Sequence, residues 1–363
     1  MKHVIFTTVS LILSSLFAIN AQTVVMDKET NTPLPKASIF DNTGRFIAIT
    51  TDEGMIPDEI SSLSYPLVIR YLGYENAIVS SPEEEAVFLI ENDYELPELT
   101  VDDTSRTMLH LTGYVRYYGT GTTDQDTVMS FSESIVDFML PRQKKTKFKG
   151  WKDARVLASR NYHQRISNTV DTIAYSEQPS GPSGGSYFID DEFEIPQEIK
   201  SGKSNRVIIN GKYSPERTWV ELGDTYFLEI DDLADSKNHK ESPNALKLLG
   251  ATVDFNKVER RYKFEKNQEK IITPEDLKEM SYAFEMLIRG KLFRKMIKSK
   301  DPINLNAYAE LYIIDREYIT EEEAKDLKKN PPQIKASSIK APANAPQLHP
   351  ELVKIKERVT HRD

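Results

Sequence analysis

The sequence predicts a mainly β protein with some helix. Three observations predict it. Short apolar runs separated by turn residues recur every roughly 8–12 positions between residues 23 and 101. Two hairpin signatures, Asn210-Gly211 and Gly223-Asp224, stand between β-rich runs farther along. Only two clear helix starts are visible, at Thr273 and Thr320.

The chain has 363 residues, which suggests two or three domains at roughly 100–200 residues each. Hydrophobic residues make up 39% and charged residues 28%, enough apolar material for a core in each domain. The formal net charge of −9 repels a polyanion, so nucleic acid is not an expected partner. There is no cysteine. Disulfides, thiolate catalysis and cysteine-ligated metal clusters are therefore excluded.

The chain opens with Met1-Lys2-His3, followed by an apolar run from Val4 to Ile19 and a small residue, Ala21. The run is at most about sixteen residues, short of the roughly 20 needed to span a bilayer. Residues 1–21 are read as a secretory signal peptide. No cysteine follows for lipid attachment, and no later stretch approaches membrane length. The mature chain is expected to be exported and without a transmembrane segment.

From residue 22 the strands follow in order. Thr23–Met26, Ala37–Phe40, Phe46–Thr50, Leu67–Tyr71, Ala77–Val79 and Ala86–Ile90 are each short, apolar and bounded by turn residues. Gly44, in Asp41-Asn42-Thr43-Gly44, can take positive φ at little cost.

Within this stretch Val25-Met26-Asp27, Pro33 to Ile39, Thr50 to Gly54 and Val68 to Tyr74 occur in an order that resembles the carboxypeptidase regulatory-like family. Glu95 to Val101 resembles the family's last strand. The resemblance covers about 80 residues. Asn31 stands where the family usually has glycine, and Met55-Ile56-Pro57 replaces a short strand. The resemblance implies a seven-stranded, transthyretin-like sandwich over 22–103. In the family this module carries no catalytic residues and often stands at the mature N-terminus of Gram-negative envelope proteins.

Residues 104–329 read as a larger antiparallel β region with two helices. Leu111–Tyr118 and Thr127–Leu140 are strand candidates. Val207–Ile209, Asn210-Gly211 and Lys212-Tyr213 suggest a hairpin with a type I′ turn. Trp219–Leu222 and Thr225–Ile230 flank Gly223-Asp224 in a second one. Arg261–Phe264 and Tyr308–Ile314 are later strands. Thr273-Pro274-Glu275-Asp276 has the cap, proline and acids of a helix start, and Leu277, Met280, Phe284, Leu287 and Ile288 then form a stripe ending at Gly290. Thr320 to Glu323 is a capping box for a shorter helix. Such a region also suits a half-open barrel of the lipoprotein-carrier kind. The tail, 330–363, is expected to be extended and rich in Pro, Ala and Lys, with Leu352, Ile355 and Val359 marking one short amphipathic helix.

No catalytic, cofactor-binding or metal-binding set emerges. Gly181-Pro182-Ser183-Gly184-Gly185 fits the spacing of a nucleophile elbow but lies in a polar loop with no strand leading in. Gly202-Lys203-Ser204 lacks the first glycine of a phosphate loop, since Gln197 stands there. His110, His163, His239 and His349 are far apart and form no zinc motif. Asp190-Asp191-Glu192 with Glu194, and Asp124 with Asp126, match no calcium loop and read as solvated faces. The basic tract Arg142 to Lys152 contains Lys144, Lys145, Lys147, Lys149 and Trp151 and offers a surface for lipid headgroups or anionic polymer. The bland alternative is a solvated loop.

The expected function is non-enzymatic: a cell-envelope protein of the periplasm or the periplasmic face of the outer membrane. Its sandwich would be a structural or docking module, with another envelope protein as partner. Second comes a carrier or binding protein enclosing an apolar ligand. Third comes a hydrolase with no identifiable site.

Overall fold

A computed structural model describes residues 22–92, 105–123, 126–142, 145–167, 172–178, 193–209, 216–233, 250–266, 271–290 and 302–360. The protein is mostly β, with large antiparallel sheets and three α-helices among the described residues.

The N-terminal module contains β1 (Val24–Asp27), β2 (Ser38–Phe40), β3 (Phe46–Ile49), β4 (Leu67–Arg70), β5 (Ala77–Val79) and β6 (Ala86–Leu89). β3-β2-β4-β5 form an antiparallel sheet, and β1 pairs in parallel with β6. Val25, Ile39, Leu67, Ile69, Val79 and Leu89 pack together at its core. Each of these strands falls on an apolar run predicted above. The expected closing strand at 95–101 lies outside the described residues. Asn31 has φ 54°. Asparagine is among the few side chains that tolerate this left-handed region.

The rest of the chain builds one long sheet. Its strands are β7 (Met108–Thr122), β8 (Asp126–Pro141), β9 (Trp151–Ser167), β10 (Thr172–Ser176), β12 (Arg206–Ile209), β13 (Glu216–Leu222), β14 (Thr225–Asp231), β15 (Ala251–Glu265), β17 (Leu277–Gly290) and β18 (Ile303–Ile319). Their order is β10-β9-β8-β7-β18-β17-β15-β14-β13-β12, and every neighbouring pair is antiparallel. The short strands β11 (Phe193–Glu194) and β16 (Ile271–Ile272) pair apart from it. The helices are α1 (Gln197–Lys200), α2 (Glu321–Lys329) and α3 (Pro350–Thr360).

Alternation along the strands gives the sheet two unlike faces. One is apolar: Leu111, Val136, Trp219, Leu228, Tyr262 and Leu311 share a core with Phe193 and Ile272. The other carries Arg116, Tyr118, Glu133, Arg261, Tyr308 and Glu310, all buried. Leu140 of β8 and Arg217 of β13 line one cavity of about 720 Å³. They are six strand steps apart, or about 29 Å on a flat sheet at ~4.8 Å per step. The sheet therefore curls around its apolar face.

The N-terminal module and the tail cover the polar face. Phe40 sits 5.1 Å from Tyr118 and 5.7 Å from Tyr308, ring to ring. Tyr71 donates to Glu229 Oε1 at 2.8 Å, and the Arg261 guanidinium lies 3.7 Å from the Tyr71 ring centroid. Gly73 has φ 82°, and a Cβ there would meet the Lys263 side chain at 2.9 Å. Only glycine lets this turn approach the sheet so closely. The tail runs across the same face: Arg160 donates to the Ile339 carbonyl at 2.9 Å and Asn76 to that of Gln347 at 3.1 Å. On α3, Leu352, Ile355 and Val359 pack against Phe46, Phe131 and Tyr162, the stripe the spacing predicts.

One expectation is corrected. Residues 277–290 form β17, not a helix. The helix-start residues make only a 3₁₀ turn, Pro274–Asp276, capped by Thr273. The same stretch also alternates, with Met280, Tyr282, Phe284, Met286 and Ile288 two apart, and pairing on both edges with β15 and β18 selects that period. The turn expected at Asn210-Gly211 lies outside the described residues, while β12 before it pairs with β13, Ile209 opposite Arg217. The second hairpin is as predicted, with Leu222 opposite Thr225.

Candidate functional site

The larger cavity, about 720 Å³, opens on the apolar face where the ends of β7, β8 and β18 meet the 273–275 turn. Leu109, Leu140, Phe193 and Tyr318 form its apolar wall. Behind Phe193 lie Trp219 at 6.4 Å, Tyr262 at 5.3 Å and Phe264 at 5.8 Å between ring centroids. These rings pack on one another and fill the core, so the cavity lies at the end of that core and not in its middle.

The rim is basic. Arg142, Lys149, Lys152 and Arg217 line it, with Arg260 deeper. Arg260 is held by Asp232 at 3.0 Å. Glu275 is the one carboxylate among the described lining residues. It accepts a hydrogen bond from the Tyr318 hydroxyl. Burial, then this hydrogen bond, pushes the Tyr318 phenol above its ordinary range.

Local sequence explains how these side chains reach the rim. The Arg142 N–H donates to the Thr107 carbonyl at 2.9 Å, and its guanidinium lies 4.5 Å from the Tyr318 ring centroid. Lys149 Nζ donates to the Thr146 carbonyl at 2.9 Å. The next residue, Gly150, has φ 62°, and a Cβ there would lie 2.0 Å from the Met139 carbonyl oxygen. The loop can fold back onto β8 only because Gly150 lacks that atom. Trp151 then turns to the opposite face, where Nε1 donates to Asp137 Oδ1 at 3.2 Å and Arg155 stacks on the ring at 4.1 Å. Alternation sends Lys152 toward the cavity. By the same alternation Arg217 shares a face with Trp219.

The structure thus divides the basic tract. Lys149, with Arg142 and Lys152, lines the cavity. Lys145 and Lys147 are exposed. The Lys147 N–H donates to Glu321 Oε1 at 3.3 Å, and Phe148 is flanked by the ammonium groups of Lys325 and Lys328. Trp151 is a structural anchor. Lys144 lies outside the described residues. Arg217, Phe193 and Tyr318 were not singled out from the sequence. The Arg217-Thr218-Trp219 alternation was the available signal for the first.

Other motifs resolve into structure. Gly202 has φ 67°, and the Lys203 N–H donates to the Glu198 carbonyl at 2.9 Å, a polar turn. Ser183, Asp190, Asp191, Glu192, Asp124 and His239 lie outside the described residues. Asp126 pairs with Arg165. Among the described residues no group of acids and histidines could hold a metal ion.

His110 is the nearest approach to a catalytic pair. Its Nε2 lies 3.1 Å from Asp137 Oδ2 and its Nδ1 3.0 Å from Glu317 Oε1. Burial pulls this imidazole down, but the two carboxylates outweigh it and hold it above its ordinary value. With both ring nitrogens taken, neither is left to activate a nucleophile. Ser130 Oγ and His163 Nδ1 are 2.8 Å apart. They are cross-strand partners on extended β8 and β9, with no strand-to-helix elbow.

A smaller cavity of about 240 Å³ separates the module from the polar face. Several of its charges pair with one another: Lys36 lies 2.7 Å from Asp52 and 3.4 Å from Glu259, and Arg261 2.6 Å from Glu229. It is a joint between the two layers.

Neither a protein-family model nor a curated protein matches the chain. Among solved structures it is similar to lipovitellin, described for its lipid–protein interactions, at 8% identity and a TM-score of 0.29, over 58% of this chain and 25% of that one. It is also similar to a Nitrosomonas europaea protein whose structure carries the name AttH, at 6% identity and a TM-score of 0.14, over 58% of this chain and 52% of that one. The chain therefore spans about a quarter and about half of these two proteins. No helix among the described residues is long and apolar enough to cross a membrane.

Proposed function

We propose that the protein is a non-enzymatic binding protein of the cell envelope, exported to the periplasm or to the periplasmic face of the outer membrane. Its curled sheet holds a ligand, and its N-terminal module is a structural brace. The cavity on the apolar face carries this reading. At about 720 Å³ it falls in the range typical of small-molecule sites, roughly 300–1,000 Å³. Its apolar wall and convergent polar groups have the composition of such sites. The brace reading is supported by the burial of Arg70, Tyr71 and Phe40 against the sheet.

The test is saturable binding. The mature chain, isolated from the envelope without denaturant, should release a bound small molecule on solvent extraction. The stripped protein should then bind an apolar fluorophore stoichiometrically. A protein that comes out empty and shows no saturable fluorescence would refute the proposal.

A docking role for the same module is favoured by Ile78, Phe88 and Ile90, which it leaves exposed. Crosslinking in whole cells tests it. If Ile78→Lys/Phe88→Lys leaves every crosslinked species unchanged, this second reading fails.

A further inference from the structure

We infer that the cavity takes an amphiphile with an anionic head, a carboxylate or phosphate joined to an apolar body. The inference rests on the binding reading above and names the ligand class.

The chain holds 47 basic against 56 acidic residues, yet among the described lining residues of the cavity the balance is reversed. Arg142, Lys149, Lys152 and Arg217 come from the end of β8, the loop before β9, β9 itself and β13. The basic tract 142–152 and the distant strand β13 thus deliver the same sign of charge to one opening. The carboxylate opposite them, Glu275, is engaged by the Tyr318 hydroxyl. An anion entering here meets a positive field strengthened by the low-dielectric wall behind it. The two arginines suit planar, two-point contact with a carboxylate or phosphate.

The wall supplies the second half of the chemistry. Leu109, Leu140, Phe193 and Tyr318 line the same cavity and offer apolar surface there. A small inorganic anion would gain nothing from them. A neutral lipid would gain nothing from the cations. A molecule with both ends uses both, with apolar burial contributing about 25 cal/mol per Å².

The test titrates the stripped mature chain at low salt with cis-parinaric acid, with its uncharged methyl ester, and with inorganic phosphate as competitor. The acid should bind about tenfold or more tighter than the ester, and added salt should narrow the gap. Arg142, Lys152 and Arg217 are exposed, so the triple variant R142Q/K152Q/R217Q should keep the parent's urea midpoint. It should lose about tenfold in acid affinity and change little toward the ester. Equal affinity for acid and ester would overturn the anionic head while leaving the binding reading intact. Phosphate binding as tightly as the acid would overturn the amphiphile and leave a free-anion site. No saturable binding of either lipid probe would overturn both readings.

Discussion

Arg70 of the N-terminal module faces Glu310 of the long sheet at 3.4 Å, and both side chains are almost wholly removed from solvent, at 5% and 3% exposure. Neither facing atom completes a hydrogen bond, so the contact is ionic. Arg70 Nη1 donates instead to the Tyr118 hydroxyl, and its guanidinium lies 5.4 Å from the Phe40 ring centroid. The joint between module and sheet is therefore a buried charge pair inside an aromatic collar.

That arrangement predicts a large penalty for breaking the pair and a small one for removing it. Glu310→Leu leaves Arg70 buried without its counterion and should cost about 3–5 kcal/mol. Arg70→Met/Glu310→Leu should recover most of the loss. Urea unfolding of the single and double variants checks this. A double variant as unstable as the single one would show that the charges hold the joint together.

The His110 cluster predicts a pH dependence. Its folded value is raised above the ordinary 6.5 by Asp137 and Glu317, against burial. A raised value means stabilisation that is present below 6.5 and lost as pH rises through the folded value. His110→Gln should therefore lower the melting temperature more at about pH 5.5 than at about pH 9. Equal losses at both would mean that the imidazole charge does not matter.

Glu279 predicts the opposite kind of variant. Burial pushes its carboxyl up, although Lys263 and the hydrogen bond from Asn344 oppose this. Asn344 Nδ2 donates to its Oε1 at 2.9 Å and ties the tail to the sheet. The raised value means that the contribution is favourable below the ordinary 4.5 and is lost as pH rises through the folded value. Glu279→Gln keeps the acceptor and removes the charge. It should raise the melting temperature at about pH 8, with the gain shrinking toward about pH 4. A drop at the higher pH would show that the pairing with Lys263 outweighs burial.

The tail predicts a stability effect far from the cavity. Leu352 of α3 is buried against the module and sheet. Leu352→Ala should cost about 2–5 kcal/mol and expose the tail to protease. An unchanged digestion pattern would mean that α3 contributes little to the packing.

Much of the local structure was legible in the sequence because it rests on local chemistry. The six module strands, the Gly223-Asp224 hairpin, the Thr320 capping box and the Leu352–Val359 stripe all follow from alternation, turn residues or caps within a few positions. Residues 277–290 show the limit. Their apolar positions satisfy both a helical and a strand period, and a capped start pointed to the wrong one. The choice was made by β15 and β18, whose backbones pair with both edges of β17. The basic tract shows it again: local composition identified a cationic segment, while Gly150 and Trp151 decided which cations turn toward the cavity.

By itself the sequence determined the β class, several turns and caps, and the absence of thiol chemistry. These depend on residues within a few positions of one another, where sterics and hydrogen bonding act directly. Only the tertiary structure decided the ten-strand order, the curl, and the meeting of Arg142, Lys152 and Arg217 at one opening. Those depend on contacts between segments tens of residues apart, whose formation rests on the summed burial of both sheet faces and on no local signal.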